Sequence, residues 1–193
     1  WFLQNQSSGV EIKNISDRLT GFQIAGPNAA KVLGAVTQNK IENFHFFDVK
    51  RMVIGMIDCL VQRVSYTGDL GYEIYCKPTE HRQLWHSLWT AGQTFDMKPF
   101  GMRAMMSLRL DKFFGSWLSE FSPDYTPAET GMDRFVAFNK EADFIGRSAA
   151  EAERQAGAKR KLAVFEVDAD DADAVGYEPV WIDGEVKGFC TSG

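Results

Sequence analysis

Between residues 19 and 36 the chain changes from a strand-like to a helix-like hydrophobic rhythm. Leu19 to Ala25 mix apolar and polar positions as a short strand does. Gly26-Pro27 then opens a helix, with proline in the first turn. Ala29, Val32, Leu33 and Val36 follow at helical spacing and predict a core-facing stripe. Val53 to Tyr66 predict a long strand region, with Ile57, Cys59 and Val61 on one face and Leu60, Val64 and Tyr66 on the other. Residues 67–71 (TGDLG) supply turn chemistry, and Tyr72 to Cys76 make a second strand, so the two should form a β-hairpin. Thr79 is the expected N-cap of a helix running to Ala91, with Gly92 as its stop and Leu84, Trp85, Leu88 and Trp89 as its buried stripe.

Further along, Met102 to Leu110 predict a helix, and residues 113–130 an irregular, aromatic-rich wrap over a core. Glu151 to Lys161 predict a charged helix whose Lys159-Arg160-Lys161 end suits the helix dipole. Leu162 to Val167 alternate as a strand. Asp183-Gly184 is the favoured turn of a hairpin between 180–182 and 185–186. Strands followed by helices packed on one face predict an α+β layered fold. The break near Gly157 divides the chain into a larger unit, 1–157, and the start of an all-β domain, 158–193.

Composition narrows the function. A formal net charge of −5 argues against a general nucleic-acid binder. Cys59, Cys76 and Cys190 are scattered, with no CxxC pair, as expected of reduced thiols in a cytoplasmic protein. No run of apolar residues is long enough for a membrane span, and no signal peptide is visible. The chain starts at Trp1 and stops at Thr191-Ser192-Gly193, so a piece of a longer protein is expected. His81 and His86 are five apart, which is poor metal spacing, and the acidic stretch from Asp168 to Asp173 lacks the calcium-loop pattern. No metal site is predicted. Neither a P-loop, a GxGxxG turn nor a GxSxG elbow is present.

The first hairpin carries the candidate chemistry. Glu73 begins a strand just after a glycine turn, and Tyr66 lies just before that turn. A carboxylate fixed there can pair with two neighbouring N–H donors of a flat heterocycle, and a tyrosine beside it can stack or hydrogen-bond. Arg109, between Leu108 and Leu110, should be partly buried. Its anion would be a protein carboxylate such as Asp111 or Glu129, or a ligand carboxylate.

The segment from Arg63 to Glu73 (RVSYTGDLGYE) resembles the R-x-S-Y-T-G-E-x-G-Y-E motif of the folate-binding aminomethyltransferase family. That family includes the glycine-cleavage T-protein and the C-terminal half of dimethylglycine and sarcosine dehydrogenases. Residues 23–29 (QIAGPNA), 107–112 (SLRLDK), 143–147 (DFIGR) and 191–193 (TSG) agree in the same order. Residues 114–117 and 123–131 look closest to the bacterial dimethylglycine-dehydrogenase branch. Asp69 and Asp111 stand where the family pattern has Glu.

The resemblance implies a T-protein-like cloverleaf of sheet-plus-helix layers, with the start of a C-terminal β-barrel-like domain. It implies tetrahydrofolate-dependent transfer of a one-carbon unit from an aminomethyl or iminium donor, giving 5,10-methylenetetrahydrofolate. Glu73 would bind the pterin's 2-amino and N3–H donors, Tyr66 would line the same pocket, and Arg109 would sit near the folate tail or hold the pocket wall. The family's catalytic Asp lies in a Gly-Gly-x-x-x-Asp-Leu stretch upstream of the matched region, so no residue here takes that role and the piece alone should be inactive. FAD would belong to a separate domain, and a lipoyl carrier protein is the other partner the resemblance implies. The alternatives are a non-catalytic folate-binding module and a folate-dependent demethylase of a sulfonium compound.

Overall fold

The computed structural model describes residues 1–193, which divide into two compact units, Trp1–Met105 and Met106–Gly193. The first unit holds a four-stranded antiparallel sheet in the order β1-β4-β3-β2, formed by β1 (Thr20–Ala25), β2 (Val49–Ile54), β3 (Ile57–Gln62) and β4 (Gly71–Cys76). Helices α1 (Ala29–Val36) and α2 (His81–Gln93) cover one face. Period-two alternation decides which side chains meet them. Ile24 on β1, Met52 and Ile54 on β2, Ile57, Cys59 and Val61 on β3, and Tyr72, Ile74 and Cys76 on β4 are buried with Val32, Leu33, Leu84 and Leu88 of the helices. Burial pushes the Cys59 thiol up to about 12, which leaves it as a small apolar core group.

Several expectations for this unit hold. The strand–helix start, the inward face of β3 and the β3–β4 hairpin are all present. Others are corrected. The long strand region is broken at Gly55, whose φ of 62° supports a two-residue turn from β2 into β3; glycine at the first central position suits a hairpin turn. Thr79 is not the cap of α2. It lies in a single 3₁₀ turn, Pro78–Glu80, and Glu80 precedes the helix. Gly92 is a buried part of α2 packed against Met97 rather than its stop. Trp85 and Trp89 are not fully buried: they stack on each other at 5.4 Å along the helix flank, and Phe22 lies against Trp85.

Helix α3 (Met102–Leu110) runs through the division between the units, over the residues predicted. In the second unit, residues 113–130 are irregular as expected. Helix α4 spans Arg147–Ala156, so it starts before and stops short of the predicted span. Arg160 lies beyond it and pairs with both carboxylate oxygens of Glu129, at 2.9 and 3.1 Å. The basic triplet therefore does not end a helix. Residues 162–167 form no strand, and β5 (Pro179–Ile182) and β6 (Glu185–Phe189) make an isolated two-stranded hairpin around Asp183-Gly184. These elements by themselves build no barrel.

Candidate functional site

The face of the sheet opposite the helices is polar where β4 crosses it. Glu73 and Tyr75 point there, because Tyr72, Ile74 and Cys76 point into the core. The Tyr75 hydroxyl donates to Glu73 Oε2 at 2.6 Å. Burial, and next this hydrogen bond, push the Tyr75 phenol up to about 12. The phenol therefore stays protonated and keeps one carboxylate oxygen pinned.

Register places glutamines on both sides of Glu73. Gln23 of β1 and Gln62 of β3 are its direct cross-strand partners, and directly opposite residues share a face with Cβ atoms about 5 Å apart. Gln23 Nε2 donates to Ser65 Oγ at 3.2 Å, and Ser65 Oγ meets Thr67 Oγ1 at 2.9 Å. The row Gln62–Glu73–Gln23 thus gathers one carboxylate and two carboxamides on the open face.

The connection from β3 to β4 positions this row. A Cβ on Gly71 would sit 2.6 Å from Ser65 Cβ and 2.8 Å from the Ile24 carbonyl oxygen, so only glycine lets the chain pass there. The amide of Gly26 donates to the Leu70 carbonyl at 2.8 Å and extends the β1–β4 ladder past Gly71. Thr67 is fully buried, which anchors the loop. Tyr66 is half-buried in the same connection.

Arg109 lies in the second unit and is 1% exposed. Its Nη1 donates to Glu120 Oε2 at 3.1 Å and to the Phe114 carbonyl at 2.9 Å, and its Nη2 donates to Ser192 Oγ at 2.6 Å. The partner is Glu120, not Asp111 or Glu129. Ser192 also donates to Glu120 Oε1 at 2.5 Å, while the Ser116 amide and the Ser119 hydroxyl donate to Oε2. Burial opposes the charge on Glu120, but the Ser192, Ser116, Thr191 and Ser119 hydrogen bonds outweigh it and hold the carboxyl down at about 2. Arg109 Nε is buried without a hydrogen-bond partner.

The sequence singles out Glu73 and Tyr66 as candidates; the structure sets Tyr75, Gln23 and Gln62 beside Glu73, and Glu120 beside Arg109. Tyr75 was within reach, two residues from Glu73 on the same strand. The glutamines required the register. Among other features, no group of three or more His, Cys, Asp or Glu forms a metal cage, and no helix is long and apolar enough to cross a membrane. A concavity of about 190 Å³ in the second unit is lined by Pro127, Val136, Phe138 and Arg154, among others. None of Tyr66, Glu73 or Arg109 lines it.

Comparison with known proteins gives the family of this chain. The GCVT N-terminal domain family matches residues 1–140. The chain belongs to that family. It is 40% identical over 186 residues to human mitochondrial dimethylglycine dehydrogenase, covering 95% of this chain and 22% of that protein. It is 36% identical over 195 residues to the aminomethyltransferase of Alkaliphilus metalliredigens, covering 100% of this chain and 53% of that protein. The chain thus spans about a fifth and about half, respectively, of these relatives. A heterotetrameric sarcosine oxidase from Corynebacterium shows a slight structural likeness, with a TM-score of 0.44 and 19% identity over 52% of this chain and 51% of its own.

Proposed function

We propose that this chain contributes the pterin-binding sheet of a tetrahydrofolate-dependent aminomethyltransferase, within a dimethylglycine- or sarcosine-dehydrogenase-like protein or a T-protein. The observation that carries this is the half-buried Glu73 carboxylate, pinned through one oxygen by Tyr75 on an open sheet face. Family membership and the relatives named aminomethyltransferase support the same reading.

The residues fit the ligand. A pterin presents adjacent 2-amino and N3–H donors, and a carboxylate is acceptor-only with room for about four hydrogen bonds. Tyr75 uses one of these, so Glu73 can still accept both donors. Tyr66 completes the pocket lining. Arg109, buried and ion-paired to Glu120, suits a structural role better than direct capture of the folate tail. Tetrahydrofolate supplies the nucleophilic nitrogen that takes up the one-carbon unit as 5,10-methylenetetrahydrofolate. The protein's share is then orientation and electrostatic complementarity, which can account for much of such a barrier.

The remaining assignments belong to the same proposal. Residues 1–157 act as the folate-binding core, and 158–193 begin a β-rich second domain. The catalytic Asp and any FAD lie in other parts of the longer polypeptide, and the buried thiols suit a reducing, cytoplasmic setting.

The test is a tetrahydrofolate titration followed by quenching of the five tryptophans, with circular dichroism to verify folding. Glu73→Ala should weaken binding by about 1.5–3 kcal/mol, the range for a hydrogen bond to a charged group. Unchanged affinity in a folded variant would remove the pterin assignment.

A further inference from the structure

Two amides flank Glu73, and they are not equivalent. Gln23 has its Nε2 engaged by Ser65. Gln62 is half-buried and its side chain makes no hydrogen bond within the protein. Its N–H donors are therefore available on the β3 side of the carboxylate. A half-buried amide gains by finding a partner, since leaving it unpaired under a bound ligand costs free energy.

From β4 to β3 the row presents two carboxylate acceptors and then an amide donor. A 4-oxopteridine edge presents the complement: the 2-amino donor, the N3–H donor and the O4 acceptor, side by side in one plane. Cross-strand spacing of about 5 Å between Cβ atoms lets both side chains reach one edge.

Resting on the pterin reading above, we propose that Gln62 is a specificity residue that donates to the 4-oxo oxygen and so selects 4-oxopteridines over 2,4-diaminopteridines. A 4-amino group would face the Gln62 donors with donors of its own, and N3 would arrive without its proton against the Glu73 carboxylate. Sites that hydrogen-bond a defined ligand group reject analogues lacking it more strongly than shape alone does.

The experiment compares tetrahydrofolate with tetrahydroaminopterin, which differ at position 4, by tryptophan quenching on the full-length polypeptide that carries this sequence. Wild type should bind tetrahydrofolate at least about tenfold more tightly, the factor one such hydrogen bond supports. Gln62→Leu should cut that preference by about tenfold, and Gln62→Glu should invert it by favouring the 4-amino ligand. Glu73→Ala should weaken tetrahydrofolate whatever occupies position 62. If Glu73→Ala weakens binding but neither Gln62 variant moves the ratio by more than about twofold, this assignment is overturned while the pterin site stands. If folded wild type binds neither ligand, both are overturned. Gln62→Glu preserves the size and placement of the side chain, so it remains informative should Gln62→Leu fail to fold.

Discussion

The Tyr75 hydroxyl holds Glu73 from two positions along the same strand, at 2.6 Å. Residues i and i+2 share a face in any strand, so the orientation of this carboxylate is set inside β4 itself. Under the pterin proposal, a ligand arriving at Glu73 would meet a side chain whose rotamer is already chosen. That lowers the ordering cost of binding.

Tyr75→Phe should release the carboxylate. We expect weaker tetrahydrofolate binding and a stability loss of about 1 kcal/mol, the net worth of a typical hydrogen bond. The alkaline titration gives a separate readout. A phenol raised to about 12 in the folded protein contributes its stability in full below the ordinary tyrosine value near 10 and loses it as pH rises through about 12. Ultraviolet titration of the five tyrosines should lose its late-titrating one in Tyr75→Phe. An identical titration curve for the variant would contradict the Tyr75–Glu73 bond.

Glu120 should make the second unit acid-sensitive. Its folded value of about 2 lies below the ordinary glutamate value, so its stabilisation is present at neutral pH. That stabilisation fades as pH falls from about 4.5 through about 2 and amounts to about 3 kcal/mol. Urea melts at pH 7, 4.5 and 3 should show this loss in wild type and much less of it in Glu120→Gln. Glu120→Ala leaves Arg109 buried and unpaired and should cost about 3–5 kcal/mol at pH 7. Parallel acid loss in wild type and Glu120→Gln would rule out the role given to this carboxylate.

Gly21→Ala tests the β1–β4 seam. Its Cβ would lie 2.3 Å from the Ile74 carbonyl oxygen, a backbone atom held by the sheet. Overpacking of this kind costs about 1–3 kcal/mol. Because β1 also carries Gln23 beside Glu73, ligand affinity should fall along with the urea midpoint. A variant as stable as wild type would show that the seam gives way freely.

Local periodicity predicted the elements that local periodicity controls. Ile57, Cys59 and Val61 alternate inward, and Ala29, Val32 and Leu33 recur on one helix face. Residues 162–167 alternate equally well but join no sheet, because a strand needs a partner strand that its own pattern cannot supply. Gly55 sits inside an apolar run that hides the turn its positive φ makes. Glu73 was recognisable from its motif. Its neighbours Gln23 and Gln62 were not, since they lie on other strands and only register brings them together. Glu120 reaches Arg109 through irregular turns with no period to follow.

Ser192 joins Arg109 from 83 positions away and Glu120 from 72. A ribosome adding about 5–20 residues per second needs on the order of 4 to 17 seconds to cover the longer interval. During that time the guanidinium and the carboxylate are synthesised but their serine does not yet exist. The nascent second unit must wait with an incomplete charge cluster, while every strand and helix of the first sheet is already synthesised. Translation therefore imposes an order of assembly, sheet first and cluster last, and a pause upstream of residue 192 would prolong the vulnerable interval.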